Sequence, residues 1–214
     1  MQIITVNDAA AQADPSLLAD EQAAINIYNA TFTNNITLTL NFSLGSFDNQ
    51  PIGPEFGGFG NVNFDAAVFT TYSQLRTALR TSGQPGFFND ANLPAGDSLN
   101  GVSNFWVSSS EAKALGLPLQ DPSLADGSVG INTTVTPGAA RIQVFLHEIG
   151  HAMGRVPDDL VFTDGVTSFS AFSALDLVRF VRAEPPVHRQ GPNPRDGGIF
   201  FGRRRHKESS GLGH

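Results

Sequence analysis

The chain has no cysteine among its 214 residues, so no disulfide framework staples it and no thiolate is present to ligate metal or act as a nucleophile. Enzyme classes that need a thiolate drop out. Charge is also scarce: Asp, Glu, Lys and Arg make up 15% of the chain, against a usual share of about 25%, and uncharged polar residues and glycine take up the difference. The formal net charge is -7, the wrong sign for neutralising phosphates, so no nucleic-acid partner is expected. No stretch approaches the roughly 18 consecutive apolar residues of a membrane span. The opening MQIITVNDAAAQADP lacks the basic start, apolar run and cleavage site of an export leader, so export by that route is expected only if the true start lies upstream.

Enough remains for a core. Hydrophobic residues make up 40% of the chain, and this length suits one domain better than two, so a single monomeric domain over residues 1–180 is expected. DPSLLADEQAAINIYNATF predicts a helix, with Asp14 as N-cap, Pro15 at the first position, and Leu18, Ile25, Tyr28 and Phe32 on one face. ITLTLNFSL alternates strictly and predicts a strand with Ile36, Leu38, Leu40, Phe42 and Leu44 buried. GPEFGGFGNVNF lacks the Lys and the helix start of a phosphate cradle and reads as a flexible surface connection. TTYSQLRTALR places Tyr72, Leu75 and Leu79 at helical spacing. NFWVSSSEAKALGL predicts a strand at Phe105–Val107, a serine cap, a helical turn and a stop at Gly116, and DGSVGINTT a further short strand.

The segment TPGAARIQVFLHEIGHAMG carries the chemistry. Thr136 reads as a cap and Pro137 as the first helical residue, with Ile142, Phe145, Leu146, Ile149 and Met153 as the apolar stripe. At about 100° per residue, His147 and His151 share a face away from Phe145 and Ile149. Two imidazoles one turn apart supply two of the four positions of a tetrahedral zinc, and Glu148 stands beside the water in an open position. In a chain of this composition a chance His-Glu-x-x-His arises about 0.3% of the time, and the other histidines, His188, His206 and His214, all lie near the C-terminus. A zinc site is therefore expected over a structural pair. With zinc bringing the pKa of water to about 7, Glu148 is expected to act as general base on a peptide bond and to return the proton to the leaving amine.

HEIGHAMG resembles the zincin metallopeptidases, and His-Glu-x-x-His-x-x-Gly is similar to the opening of the metzincin pattern, in which Gly154 would turn the chain towards a third ligand. DGSVGIN, HEIGHAMGR and SALDLVRF together resemble a bacterial family of secreted metalloproteases reading H-E-I-x-[HE]-x-M-G-R and then L-D-L-x-R-[FY], and NFWVSSSEAKALGL also fits it. The resemblance covers roughly Ile3 to Phe180. It implies an α+β zincin fold, a twisted mixed sheet on the active-site helix with a cleft for a protein or peptide substrate, and a secreted enzyme. Peptide deformylase shares the helix motif but needs a cysteine ligand.

The third ligand departs from the metzincin pattern, because its position holds Pro157. Asp158 is the expected substitute, with Asp159 or a segment absent from this chain as alternatives; Asp164 is also near, and Asp176 is expected to pair with Arg179 instead. The family tolerates Glu at the second histidine, so a zincin-like remnant or binding module without turnover is the competing expectation. Residues 181–214 change character: seven of the 13 Lys and Arg lie at or after Arg182. A basic disordered extension is one reading. With suitable codons, reading Asp196–His206 one nucleotide over gives T-A-A-Y-F-S-V-D-G-G-T, and the same shift turns Ala183–His188 into R-N-R-L-F followed by Thr. Both are similar to the family's continuation, so an out-of-frame tail and a missing C-terminal half are expected.

Overall fold

Strand β1 (Gln2–Val6) leads to helix α1 (Pro15–Thr31), whose start is set locally. Asp14 Oδ1 accepts from the N–H groups of Ser16 and Leu17 at 2.9 and 3.2 Å, and Pro15 occupies a first-turn position where no N–H is needed. The buried face differs from the expected one. It consists of Leu17, Asp20, Glu21, Ala24 and Ile25, with Leu18 at the rim and Phe32 40% exposed beyond the last turn. Two of those five are acidic, so apolar periodicity alone points the helix slightly wrong.

The computed structural model describes residues 1–6, 14–82, 93–155, 159–163, 168–174 and 177, all within one compact unit, Met1–Ala183. Asp158, Asp164, Asp176, Arg179 and the tail lie outside the described residues. The described fold is α+β, with mixed sheets and four helices, and among the described residues no helix is long and apolar enough to cross a membrane.

The first sheet has the order β1-β2-β8-β5. Strand β2 (Thr37–Leu44) buries Leu38, Leu40 and Phe42 on one side, as its alternation requires. β1 and β8 (Gly127–Ile131) run parallel to β2, and β5 (Gly58–Val62) closes the edge antiparallel to β8. Joining β1 to β2 in parallel demands a crossover, which α1 supplies. α1 and α4 (Ala139–Ala152) cover one face, packing Leu17, Ile25, Phe145 and Ile149 onto Ile3, Leu40, Val129 and Ile131. A hairpin of β3 (Ser46–Phe47) and β4 (Gln50–Pro51) turns through Asp48 and Asn49, both at positive φ.

Strand β5 corrects the reading of GPEFGGFGNVNF as a surface connection. Its inward positions are Gly58, Gly60 and Val62, all buried. A Cβ on Gly60 would overlap the main-chain oxygen of Glu148 and lie 2.7 Å from its carbonyl carbon. Gly60 is there because helix backbone passes directly against strand backbone, while a Cβ on Gly58 would meet Gly130 O at 2.6 Å and the side chains of Glu148 and Val144 at 3.1 Å; both serve a strand role that deletes the apolar signal.

A second sheet, in the order β6-β7-β10-β9, joins β6 (Val68–Thr71), β7 (Asn104–Val107), β10 (Ser168–Ser173) and β9 (Asp159–Thr163). α2 (Tyr72–Thr81) and α3 (Ser109–Leu115) contribute Tyr72, Leu75, Leu79 and Ala112 to its core with Phe105 and Val107. Ser108 caps α3 in a reciprocal box with Glu111, and Gly116 ends it at φ +69. Asp126 ties α3 to the first sheet, accepting from Thr39 N–H at 2.7 Å, Ser109 Oγ at 2.6 Å and Lys113 Nζ at 2.7 Å.

Candidate metal centre

Helix α4 begins later than expected. Its N-cap is Gly138, not Thr136, and Pro137 precedes the helix. No side chain of its own caps it; Asp20 of α1 accepts from Gly138 N–H at 2.9 Å and from Arg141 Nε at 2.7 Å. A carboxylate at a helix N-terminus satisfies orphan donors and the dipole together, so a tertiary contact replaces the local cap. Tyr28 Oη, also from α1, donates to Leu146 O at 2.7 Å. These three bonds fix the roll of α4 against α1 from its first residues up to the start of the histidine turn.

That roll leaves His147 exposed and His151 half-buried, while Glu148 turns inward at 8% exposure. The Nε2 atoms of the two imidazoles lie 3.0 Å apart. His151 Nδ1 stands 3.0 Å from the carbonyl of Arg155, which only accepts, so Nδ1 carries the proton and Nε2 of the neutral ring presents its lone pair outward. His147 Nε2 then donates in the metal-free form. The ligand atoms of His147, Glu148 and His151 all lie within 4.8 Å of one another, a group able to hold a metal ion.

Two imidazole nitrogens and a carboxyl could hold a divalent metal ion, and their spacing can be compared with what zinc would require. Two nitrogens at about 2.0–2.1 Å from a tetrahedral ion are about 3.3–3.4 Å apart, so the rings need to open by only a few tenths of an ångström and His147 must move its proton to Nδ1. A carbonyl partner on the far nitrogen is the usual way a ligating imidazole is oriented. The end of the helix supplies that carbonyl. Gly154 N–H donates to His151 O and Arg155 N–H to Gly150 O, both at 2.9 Å, with Gly154 at φ +105. This is a Schellman closure, and Ser108 Oγ locks it from α3 by donating to Met153 O at 3.1 Å.

Burial pushes the Glu148 carboxyl up to about 7, against the opposing pull of the Gly60 N–H that it accepts from and of the Arg155 charge. Burial also lowers the His151 pKa; the Arg155 carbonyl opposes this, and the neighbouring charges of His147 and Arg155 add to it. Both shifts suit the chemistry expected of each group: a carboxyl poised to exchange a proton near neutrality and an imidazole kept neutral for a metal.

The structure therefore brings His147, Glu148 and His151 together. Asp158 lies outside the described residues, and Asp159 is described by its backbone, opening β9 opposite Phe172 of β10. Sequence reasoning missed Gly60, whose N–H holds the Glu148 carboxylate, and Asp20 and Tyr28, which seat the helix. The one available signal for Gly60 was glycine at alternate positions, Gly58 and Gly60, before a hydrophobic residue in the same phase, Val62. Comparison with protein-family models, with curated proteins and with solved structures gives no match to this chain.

Proposed function

We propose that this chain is a secreted, zinc-dependent metallopeptidase of the zincin type, acting on a protein or peptide substrate. The observation that carries the reading is the convergence of two imidazole Nε2 atoms 3.0 Å apart beside a buried carboxyl on the same helix. The mixed sheet, with an antiparallel edge strand against that helix, supports it in the same direction as the sequence resemblance. Zinc supplies Lewis acidity, bringing the pKa of water towards 7 and polarising a carbonyl. His147 and His151 hold the ion through Nε2, and Asp158 is the proposed third ligand. Glu148, steadied by Gly60 N–H, takes the proton of the attacking water on its carboxylate and hands it to the leaving amine nitrogen.

The test is zinc content together with casein hydrolysis in the presence and absence of chelator. His147→Ala and His151→Ala lose zinc; Glu148→Gln keeps zinc and loses turnover, because an amide cannot accept the proton. Unchanged zinc in both histidine variants removes the metal-site reading, and proteolysis by Glu148→Gln removes Glu148 as base. One alternative is a zinc-binding module without turnover. Zinc bound by the parent chain with no chelator-sensitive hydrolysis selects it.

A further inference from the structure

Arg155 follows the turn that ends α4, and its backbone is held on both sides: its N–H by Gly150 O at 2.9 Å, its carbonyl by His151 Nδ1 at 3.0 Å. Its side chain folds back along the helix. The guanidinium carbon and Nε lie 3.2 Å from the place a Cβ on Gly150 would occupy, with Tyr28 Oη 3.1 Å from the same point. Glycine at position 150 thus lets a guanidinium rest on the ligand helix itself. From there its charge acts on Glu148, His151 and Tyr28.

Lys113 and Arg141 are neutralised by Asp126 and Asp20, each at 2.7 Å. Arg155 is exposed, and its guanidinium makes no hydrogen bond or ion pair with a described residue. A cation with no anionic partner among the described residues, placed beside two imidazoles, opposes metal binding unless an anion joins it, and the chain is acidic overall, with a net charge of -7. A planar guanidinium is built to take a carboxylate by two parallel N–H bonds. We infer that Arg155 receives a carboxylate of the substrate, an Asp or Glu side chain or the free C-terminus, and makes the site selective for peptides carrying one close to the bond presented to His147 and His151. This inference rests on the peptidase reading of the site.

The test reads binding, so that it stands apart from turnover. The probes are acetylated alanine octapeptides with a neutral fluorophore. One series carries a single Glu or its neutral isostere Gln at each position in turn; a second pair ends in a free carboxylate or an amide. Anisotropy is measured with the zinc-loaded Glu148→Gln full chain. In at least one register the carboxylate peptide binds about fivefold to tenfold tighter than its neutral partner, and the series in which this occurs says whether a side chain or the C-terminus is read. The preference vanishes in Arg155→Met, persists in part in Arg155→Lys, and shrinks with added salt. No preference in any register overturns the inference, and that comparison needs no substitution at Arg155. A preference surviving Arg155→Met also overturns it. Zinc is assayed in the same samples: zinc retained without carboxylate preference rejects the role of Arg155 alone, whereas zinc content indifferent to His147→Ala and His151→Ala rejects the peptidase reading.

Discussion

Gly60→Ala is a one-carbon change on a strand, yet it bears on the whole construction of the site. The added Cβ falls on the Glu148 main-chain oxygen, 2.7 Å from its carbonyl carbon and 2.8 Å from its Cα. All three atoms are helix backbone, so no side chain can swing aside; either α4 lifts away from β5 or the edge strand peels from β8. Overpacking of this kind costs about 1–3 kcal/mol where side chains yield, and the upper end applies where backbone must move. About 3 kcal/mol corresponds to a fall in Tm of about 6–12 °C for a chain of this length. Gly53→Ala is the matched control. Its Cβ meets the Glu55 carboxylate at 2.6 Å, the far end of an exposed side chain that rotates away, so the effect stays within about 0.5 kcal/mol.

The two variants are compared by thermal unfolding, with zinc content and casein hydrolysis measured on the folded protein. His147 and His151 ride together on α4, so their mutual spacing survives a shift of the helix, whereas the bond from Gly60 N–H to Glu148 spans the gap that opens. Turnover therefore falls by more than zinc content does. A Gly60→Ala Tm within about 1 °C of the parent would refute the close approach of strand and helix. Equal losses in the Gly53 and Gly60 variants would mean that any alanine here is harmful and that the contact is not the cause.

In the zinc-free protein Glu148 titrates near 7 instead of 4.5, so between those values the folded state holds a proton that the unfolded chain has released. Stability falls as pH rises through that window, by up to about 3 kcal/mol, and is level above it. His151, with its pKa lowered chiefly by burial, contributes the opposite slope below 6.5, so the diagnostic quantity is the difference between parent and Glu148→Gln denaturation midpoints. A difference that does not change with pH contradicts the burial of this carboxyl. For the third ligand, Asp158→Ala is expected to weaken zinc binding in a chelator competition and Asp159→Ala to leave it nearly unchanged; the reverse result moves the ligand to Asp159, and no effect from either removes both.

What was legible in the sequence was what is local. The alternation of β2, the box from Ser108 to Glu111, the stop at Gly116 and the pair His147 and His151 all depend on residues at most a few positions apart. The features that leave no local trace depend on distant partners. β1 has no strict alternation and becomes a strand by pairing Gln2–Val6 with Thr37–Asn41. The start of α4 is not legible locally because its cap is Asp20, on another helix. β5 reads as a loop in the sequence because its inward Gly60 answers to the backbone at Glu148, and a close approach between two elements leaves no mark on the periodicity of either.

The end of α4 offers a way to disturb the candidate metal site without touching a proposed ligand. Gly154 stands at φ +105, a region that costs an L-residue about 1–2 kcal/mol. A Cβ there would also meet Ser108 Oγ at 2.5 Å and Glu111 Cδ at 3.0 Å, the two side chains of the box that opens α3. Gly154→Ala thus strains the turn and pushes it off α3 at once. The atom that this displaces is the carbonyl of Arg155, one residue on, which accepts from His151 Nδ1 at 3.0 Å and so holds the lone pair of Nε2 outward. Losing such an orienting partner typically weakens metal binding about tenfold to a hundredfold. That loss is expected in a zinc competition titration performed on the folded variant, with His147, Glu148 and His151 all intact. Gly101→Ala, at φ +85 with nothing within 4 Å of its Cβ, carries a similar backbone cost with no route to the histidines and should leave zinc affinity unchanged. Parent-like zinc affinity in Gly154→Ala would mean that the helix-ending carbonyl does not orient His151, and equal losses in both variants would assign the effect to general destabilisation.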